Sequence, residues 1–285
     1  MTRPDQLRRT PHRRPRLSAA APADVLPVAR VLVDTPLAHL DRPFDYLVPA
    51  DLAADVVPGC RVKVRFSGQE VPGFVLERSE RSSHDGRLEP LRRVVSPQVV
   101  LTPEVLRLCR EVGNRYAGTV NDVLRLAVPT RHARVEREQP APAPAAPVAD
   151  LEGLGSDAWS QVDGAGFVAD LRAGSSPRAV WTACPGVPWE RSLLEAAAPT
   201  VAHGRGVLVC VPDARDVARV TAAFAQSPLA DVTVTLTADL GPARRYRAFL
   251  RTLRGDARVV VGTRAVVFAP VQRLGLAAIW DDGDD

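Results

Sequence analysis

The most informative segment of the chain reads GVLVCVPDARDVARVTAAFA and occupies residues 206–225. Its first six residues are mostly valine and leucine, and such a run predicts a strand that is buried on both faces. Residues 214–225, which follow the strand, predict a helix. A buried strand followed directly by a helix indicates an α/β domain with a parallel sheet.

The same alternation continues on both sides of this segment. It predicts strands at residues 178–183, 206–211, 232–236, 259–261 and 276–280, and helices at 166–173, 189–198, 214–225 and 242–254. Because no helix follows the last strand, we interpret the chain as a fragment or a truncated gene product whose parallel-sheet domain is incomplete.

The N-terminal half of the chain has a different pattern. Residues 28–33, 61–66 and 73–76 predict short strands, and the second of these alternates apolar and basic side chains. Short strands separated by turns favour a small β-barrel or sandwich. Two helices should follow, one after the N-cap residue Thr102 and a shorter one at 121–126.

Composition divides the chain into four parts. We predict a basic, disordered leader at 1–26, a small β-rich, barrel-like domain at 27–133, a Pro- and Ala-rich linker at 134–152, and an α/β parallel-sheet domain at 153–285. The expected fold class is therefore a multidomain protein that joins a β-rich N-terminal domain to an α/β lobe.

Charge and cysteine content limit the classes of function. The net charge of +4 permits a polyanionic partner without requiring one. The cysteines are scattered and form no Cys-x-x-Cys pair, so we expect neither a zinc site nor a disulfide framework. No run of about 18 apolar residues occurs, so we expect no membrane span and a cytoplasmic location.

Four groups of motifs stand out along the chain. They are FDYLVP at 44–49 with PGCRVKVRF at 58–66, LTPE at 101–104 leading to DVL at 122–124, VCVPD at 209–213, and VGTRAVVFAP at 261–270 leading to LGL at 274–276. Together they resemble the PriA family of replication-restart proteins, which are superfamily 2 helicases. The resemblance covers residues 28–285 apart from the linker.

The resemblance implies a function as well as a fold. It implies a domain that captures the 3′ end of a nascent strand at a DNA fork, followed by a helicase lobe of the RecA-like type. The expected partners are forked DNA with a 3′ end, single-stranded DNA-binding protein and helicase-loading primosome proteins, at the nucleoid in the cytoplasm. A winged helix normally lies between the two domains, and the short Pro- and Ala-rich interval leaves little room for one.

The resemblance also implies a pocket for the 3′-terminal nucleotide, formed by Phe44, Asp45, Tyr46 and Gly68. A carboxylate accepts a hydrogen bond from a terminal 3′-hydroxyl, which an internal phosphodiester lacks. An aromatic ring stacks on any base, and glycine lets the backbone approach closely. The alternative is an edge strand with two core aromatics and a solvated Asp45. Glu89 stands where the family commonly has a lysine, so either Arg87, Arg92 or Arg93 replaces that charge or the pocket is altered.

Basic residues offer phosphate contacts outside this pocket. Arg61, Lys63 and Arg65 share one face of a predicted strand and form either a phosphate-binding stripe or the solvated face of a half-buried strand. Arg264 lies in a region that contacts nucleic acid in the family, and it could equally form a structural ion pair.

The expected ATP site has lost its motif. A P-loop needs Gly-x-x-x-x-Gly-Lys-Ser/Thr, in which backbone amides and the lysine hold phosphates and the hydroxyl binds Mg²⁺. At the corresponding place the chain reads ACPGVPWE at 183–190. Gly186 remains, but Trp189 replaces the lysine and Glu190 the hydroxyl residue. A carboxylate at this position repels a triphosphate.

The second nucleotide motif is changed too. The family's Asp-Glu-Glu-His aligns with Trp280-Asp281-Asp282-Gly283, and Trp280 cannot bind a metal. Asp281 and its acidic neighbours form either a shifted metal site or a solvated acidic end. We predict no catalytic residue and no cofactor for this chain, with ATP, Mg²⁺ and zinc expected only of the wider family.

Three hypotheses follow for function. The first is a DNA-binding replication-restart protein that recognises stalled or abandoned forks through the nascent 3′ end, without ATPase or helicase activity, and recruits helicase-loading partners. The second is an active ATP-dependent 3′–5′ DNA helicase with a divergent nucleotide site. The third is a pseudogene product or fragment with residual binding only.

Overall fold

The structure is a computed structural model that describes residues 21–138, 154, 157–183 and 186–281. The chain forms two compact units. We call the first the β unit, with described residues 21–34 and 42–98, and the second the α/β unit, with residues 35–41 and the described residues from 99 onward.

The β unit is a five-stranded antiparallel sheet in the order β2-β1-β4-β3-β5. Its strands are β1 Val28–Val33, β2 Pro43–Leu47, β3 Arg61–Phe66, β4 Gln69–Ser79 and β5 Arg93–Ser96. Valines that alternate with polar residues fill its core, as the period of two along each strand requires. The predicted β-rich N-terminal domain is confirmed.

One backbone connection closes this sheet into a barrel-like shape. The Leu47 amide of β2 donates to the Glu89 carbonyl at 2.9 Å, and the Leu91 amide donates to the Leu47 carbonyl at 2.9 Å. The segment that contains Glu89 and Leu91 leads directly into β5, so the two outer strands of the sheet are linked. This link occupies the Leu47 end of the outer edge of β2 and leaves the rest of that edge without a ladder partner among the described residues.

The hairpin between β3 and β4 has a two-residue turn. Ser67 has φ 47° and Gly68 has φ 82°, the left-handed values that a tight turn between twisted strands requires. Phe66 therefore pairs directly with Gln69, and β4 begins at Gln69 rather than at the predicted position 73.

The described end of the predicted leader is ordered. The Ala23 amide donates to the Val48 carbonyl at 2.9 Å, and the Ala50 amide donates to the Ala21 carbonyl at 2.9 Å. The Arg78 guanidinium donates to the Val25 carbonyl at 2.7 Å. Residues 21–26 thus belong to the β unit, and the first 20 residues of the predicted leader lie outside the described residues.

In the described part of the α/β unit, six α-helices precede the first strand, and strands and helices then alternate up to the third strand. The helices are α1 Pro103–Arg115, α2 Val120–Ala127, α3 Ala133–Glu136, α4 Asp157–Ser160, α5 Ala165–Arg172, α6 Trp189–Ala202, α7 Ala214–Ala225 and α8 Pro242–Arg254. The strands are β6 Gly206–Cys210, β7 Thr233–Thr235, β8 Val259–Gly262 and β9 Leu274–Ile279. The predicted N-cap is present, since the Thr102 hydroxyl accepts from the Val105 amide at 3.3 Å.

The sheet of this unit is parallel in the order β7-β8-β6-β9, which confirms the predicted α/β class. Strands β6 and β8 are buried along their whole length, because helices cover both faces of a parallel sheet. The carboxyl ends of the four strands meet at one edge, so the residues that follow them lie close together.

The predicted strand at 178–183 is not a strand. Among the described residues β9 pairs only with β6, and residues 177–183 have no ladder partner. The side chain of Val180 is fully exposed at 101%. An apolar run becomes a strand only where a neighbouring strand takes up its backbone hydrogen bonds.

The predicted Pro- and Ala-rich linker at 134–152 lies outside the described residues from 139 onward, and its first three residues belong to helix α3, Ala133–Glu136. Where the structure does describe the chain, no helix combines the length and the apolar character needed to cross a bilayer.

Candidate DNA-end site and degenerate nucleotide site

Alternation along β2 separates the residues of the predicted 3′-end pocket. Phe44 and Tyr46 share the face that packs on the barrel core, and Asp45 points to the opposite face. Tyr46 is 4% exposed, and its hydroxyl donates to the Arg65 carbonyl at 3.3 Å. Burial, with Glu89 as a smaller cause, raises the pKa of Tyr46 to about 12. The Tyr46 ring is therefore a core side chain in this structure.

The structure brings Phe44 to the Gly68 hairpin. The Phe44 ring packs edge-on against Phe66 with centroids 4.9 Å apart, and Phe66 immediately precedes the Ser67-Gly68 turn. The Arg42 guanidinium lies 4.7 Å from the Phe44 ring centroid. A methyl group at Gly68 would have no atom within 4 Å, so the turn is open to solvent beside this half-buried ring.

Asp45 lies in a separate polar cluster on the outer face. Its side chain is 9% exposed, and it accepts hydrogen bonds from the Ser82 hydroxyl at 2.6 Å and from Arg30 Nε at 3.4 Å. Arg30 also bonds Glu77 at 2.7 Å. The carboxylate thus already has a hydroxyl donor of the kind that a 3′-terminal sugar offers.

Sequence reasoning missed four residues of this region: Arg30, Arg42, Phe66 and Ser82. The β1–β2 register, which places Arg30 opposite Asp45, could have revealed the first of them. Ser82 was not detectable, since it reaches Asp45 from a distant loop. Glu89 is exposed, and its carboxylate lies near enough to Tyr46 to disfavour the phenolate.

The predicted basic stripe lies on the outer face of β3. Arg61, Lys63 and Arg65 alternate there with buried valines. The Arg61 guanidinium lies 5.5 Å from the ring centroid of Phe74, and Lys63 stands opposite Arg93 of β5. Like charges opposite each other are unfavourable unless a polyanion or solvent screens them. Arg264 lies in the other unit, exposed, just after β8.

In the α/β unit, tryptophans lie where the family resemblance predicts the nucleotide motifs. Trp189, the first residue of α6, stacks on Trp280 with centroids 4.1 Å apart and an interplanar angle of 5°. The Arg219 guanidinium lies 5.2 Å from the Trp189 centroid and 3.6 Å from the Glu190 carboxylate. Trp189 is only 6% exposed. The position at which the family resemblance predicts a lysine is therefore part of a packed core.

All four tryptophans of the chain belong to one row of rings. Trp280 also contacts Trp181 at 5.5 Å, and Trp181 contacts Trp159 at 5.2 Å. The indole nitrogen of Trp159 donates to the Ser192 carbonyl at 2.8 Å and so fixes α4 against α6. Three of these rings, Trp159, Trp181 and Trp280, also line a cavity of about 560 Å³ beside β9.

Acidic residues lie near this edge of the sheet. Asp213 caps α7 by accepting from the Asp216 amide at 2.8 Å. Burial in the first place, and then Asp213, raises the pKa of Asp216. Asp281 is exposed with φ 53°. The described residues contain no group of three or more His, Cys, Asp or Glu arranged to hold a metal ion.

Gly186, the one glycine retained at the P-loop position, has φ 84° and open space where a side chain would be. Its neighbours at 184–185, and the acidic residues after Asp281, lie outside the described residues. Neither the predicted 3′-end residues nor the degenerate nucleotide residues are tested by the fold alone, and both sets stay predictions.

Comparison with known proteins places these features in a family. Residues 30–129 match the 3′ DNA-binding domain of PriA. The chain is 52% identical over 248 residues to a probable replication restart protein PriA of Mycobacterium tuberculosis (strain CDC 1551 / Oshkosh), covering 87% of this chain and 38% of that protein. It is 50% identical over 249 residues to the Mycobacterium leprae (strain TN) counterpart, with the same coverage.

A more distant relative is replication restart protein PriA of Bacillus subtilis (strain 168), which is 30% identical over 112 residues, 39% of this chain and 14% of that protein. The chain spans 38% of the length of the two mycobacterial relatives. Over the residues that align, the chain belongs to the PriA family of replication restart proteins, and residues 30–129 carry that family's 3′ DNA-binding domain.

Proposed function

We propose that this chain acts in replication restart by binding DNA forks through the 3′ end of a strand, without hydrolysing ATP. The observation that carries the proposal is the match of residues 30–129 to a 3′ DNA-binding domain. Single-stranded DNA-binding protein and helicase-loading proteins are the protein partners we propose, at the nucleoid, by relationship to the family.

The free edge of β2 is the proposed position of the terminal nucleotide. Among described residues, β2 pairs with β1 along one edge, while its other edge is bridged only at Leu47. A nucleotide across the open part of this edge reaches the Phe44 ring on one face and the Asp45 carboxylate on the other. The base stacks on Phe44 beside Gly68, and the 3′-hydroxyl replaces Ser82 as the donor to Asp45.

The basic stripe of β3 extends this site. Arg61, Lys63 and Arg65 carry the charge that attracts the preceding phosphates, which bind independently of sequence. Tyr46 acts behind the pocket, since its buried ring positions β2 against β3 through the hydrogen bond to the Arg65 carbonyl. In this proposal Asp45 selects the 3′-terminal hydroxyl, and the basic residues of β3 bind the phosphates that precede it.

The test compares DNA that ends in a 3′-hydroxyl with DNA that ends in a 3′-phosphate. We expect the phosphate to weaken binding by about 10- to 100-fold, because it removes a hydrogen bond to a charged group worth about 1.5–3 kcal/mol and adds repulsion. Asp45→Asn should reduce this preference to about twofold or less, since a neutral amide does not repel phosphate. Fluorescence anisotropy with 5′-labelled oligonucleotides measures both.

Glu77→Gln is the matched control, because Glu77 also bonds Arg30 on the same outer face but lies away from the β2 edge. It should keep the full preference for the hydroxyl. Equal affinity of the unchanged protein for the two ends would contradict end recognition.

The absence of ATP hydrolysis is the second part of the proposal. The family resemblance implies ATP and Mg²⁺ at the carboxyl edge of the parallel sheet, and the residues present do not fit them. Trp189 is buried and stacked on Trp280 where a phosphate-binding lysine is needed. The carboxylate of Glu190 and the ring of Trp280 replace the two Mg²⁺-binding positions. We derive no catalytic step at this edge.

An ATPase assay in the presence of forked DNA checks this part. We expect no turnover above the rate without protein, and no rise in melting temperature with Mg²⁺-ATP, because no site binds the nucleotide to the folded state. Turnover that forked DNA stimulates and that Asp281→Asn abolishes would instead support an active helicase with a divergent site.

A further inference from the structure

Three arginines form a row on α8 that the proposed end site does not use. Arg244, Arg247 and Arg251 are three and four residues apart, so they share one face of the helix. They line a cavity of about 270 Å³ together with Thr233 and Thr235 of β7. Strand β7 is the outer strand of the sheet at this side, since it pairs only with β8 among the described strands.

A second cavity continues this one between α7 and the start of α8. It measures about 500 Å³, shares Thr235, Leu240 and Arg244 with the first, and has alanine-rich walls from α7. Among the described residues that line the two cavities, none is aromatic and Asp239 is the only acidic one. We call the joined cavities the β7 groove.

One arginine of this row already binds a carboxylate. Arg247 forms a bidentate ion pair with Glu138. Its Nε and one terminal nitrogen each lie 2.7 Å from a carboxylate oxygen. This is the fork geometry in which guanidinium groups also bind phosphate. The bond to Arg247 is the main cause that lowers the pKa of Glu138. Glu138 therefore occupies a position suited to a phosphate.

The other two arginines differ in their contacts. Arg251 donates to the Asp231 carbonyl at 2.7 Å, which fixes its side chain beside the groove. Arg244 is exposed at the junction of the two cavities. The row spans seven residues of helix, about 10 Å at about 1.5 Å per residue. Measured along the duplex axis, where each phosphate of one strand takes up about 3.4 Å, that length corresponds to about three phosphates.

We propose that the β7 groove binds the phosphate backbone of duplex DNA, independently of sequence, as a second DNA contact of this chain. Guanidinium groups supply charge and fork geometry for phosphates. The groove offers no aromatic ring on which an unpaired base could stack, which favours duplex over single-stranded DNA. The inference rests on the proposed function in that it assigns the duplex arm of the fork to this groove.

The experiment uses a covalently closed DNA dumbbell, a duplex that has no 3′ end. We expect Arg244→Gln/Arg251→Gln to weaken dumbbell binding by about tenfold. The slope of log K against log salt should become about 1.8 less steep, at about 0.9 for each phosphate that the protein no longer neutralises. Glu138→Gln should instead tighten binding, because it releases Arg247 for a phosphate.

Arg172→Gln/Arg178→Gln is the matched control, since both residues are exposed in the same unit and the change in net charge is equal. It should alter affinity and salt slope far less. Equal losses in the two double variants, or unchanged dumbbell binding by Arg244→Gln/Arg251→Gln, would overturn the proposal. A Glu138→Gln variant that binds no more tightly would exclude Arg247 from the groove's contacts.

Failure of the β7 groove proposal can be distinguished from failure of the proposed 3′-end site. Arg244→Gln/Arg251→Gln should keep the preference for a 3′-hydroxyl over a 3′-phosphate on single-stranded oligonucleotides. The Asp45→Asn variant should bind the dumbbell with the same affinity as the unchanged protein. Circular dichroism of each variant, compared with the unchanged protein, verifies that the fold is intact.

Discussion

Truncation of Trp189 to alanine is expected to lower the free energy of unfolding of the α/β unit by about 3–5 kcal/mol, as is usual for a large aromatic side chain removed from a core. Trp189 is 6% exposed and stacks on Trp280, and Arg219 covers its ring. Alanine leaves a cavity among helices that pack rigidly, and the stacking energy of the ring pair is also removed.

Urea denaturation followed by tryptophan fluorescence measures this effect. All four tryptophans lie in the α/β unit, so the signal of the three that remain reports that unit alone. The near-ultraviolet circular dichroism of the stacked pair should disappear in the variant. Tyr116→Ala is the control, since that aromatic ring is 78% exposed and its loss should change stability by about 0.5 kcal/mol or less. A similar loss in both variants would contradict a packed tryptophan row.

Replacement of Gly262 by alanine should also cost the α/β unit about 3 kcal/mol, the upper part of the usual range for overpacking. Gly262 ends the buried strand β8, in the Gly-Thr-Arg motif. A methyl group there would lie 2.2 Å from the Leu236 carbonyl oxygen and 3.1 Å from Cβ of Val266. The backbone around Leu236 would have to move, which would strain its 2.8 Å hydrogen bond to the Val261 carbonyl.

Gly166→Ala is the matched control for this substitution. Gly166 lies within α5, and a methyl group there would have no atom within 4 Å. Alanine should therefore stabilise the helix by about 0.5–1 kcal/mol. If Gly262→Ala unfolds at the same urea concentration as the unchanged protein, the close approach to Leu236 does not constrain this position.

Much of the fold was predictable because its signals are local. The structure confirms the predicted strand bounds of β1 and β3 and the predicted helices α7 and α8 without change. Each of these elements has a clear hydrophobic period and a proline, glycine or capping residue at its boundary. Where a prediction differed, as at 178–183, the residues were apolar enough for a strand but lacked a partner.

The candidate end site shows the limit of local signals. The period of two along β2 predicts that Phe44 and Tyr46 share a face, and it does not say which face is buried. The barrel turns that face inward, which encloses Tyr46, whereas Phe44 reaches the hairpin of Gly68. Ser82 and Arg30 join Asp45 from elsewhere in the chain.

Residue type and spacing were enough to establish the two architectures and the family to which the motifs point, and they predict the loss of the lysine and metal-binding positions. These patterns are local, extending over one or two turns of backbone, and so they can be read without knowing which distant residues pack against them. Packing in three dimensions was needed to establish that Trp189 stacks on Trp280, that Asp45 is bonded by Ser82 and that the arginines of α8 line a groove beside β7. Such contacts join residues far apart in the chain, and they form only when packing brings their elements together.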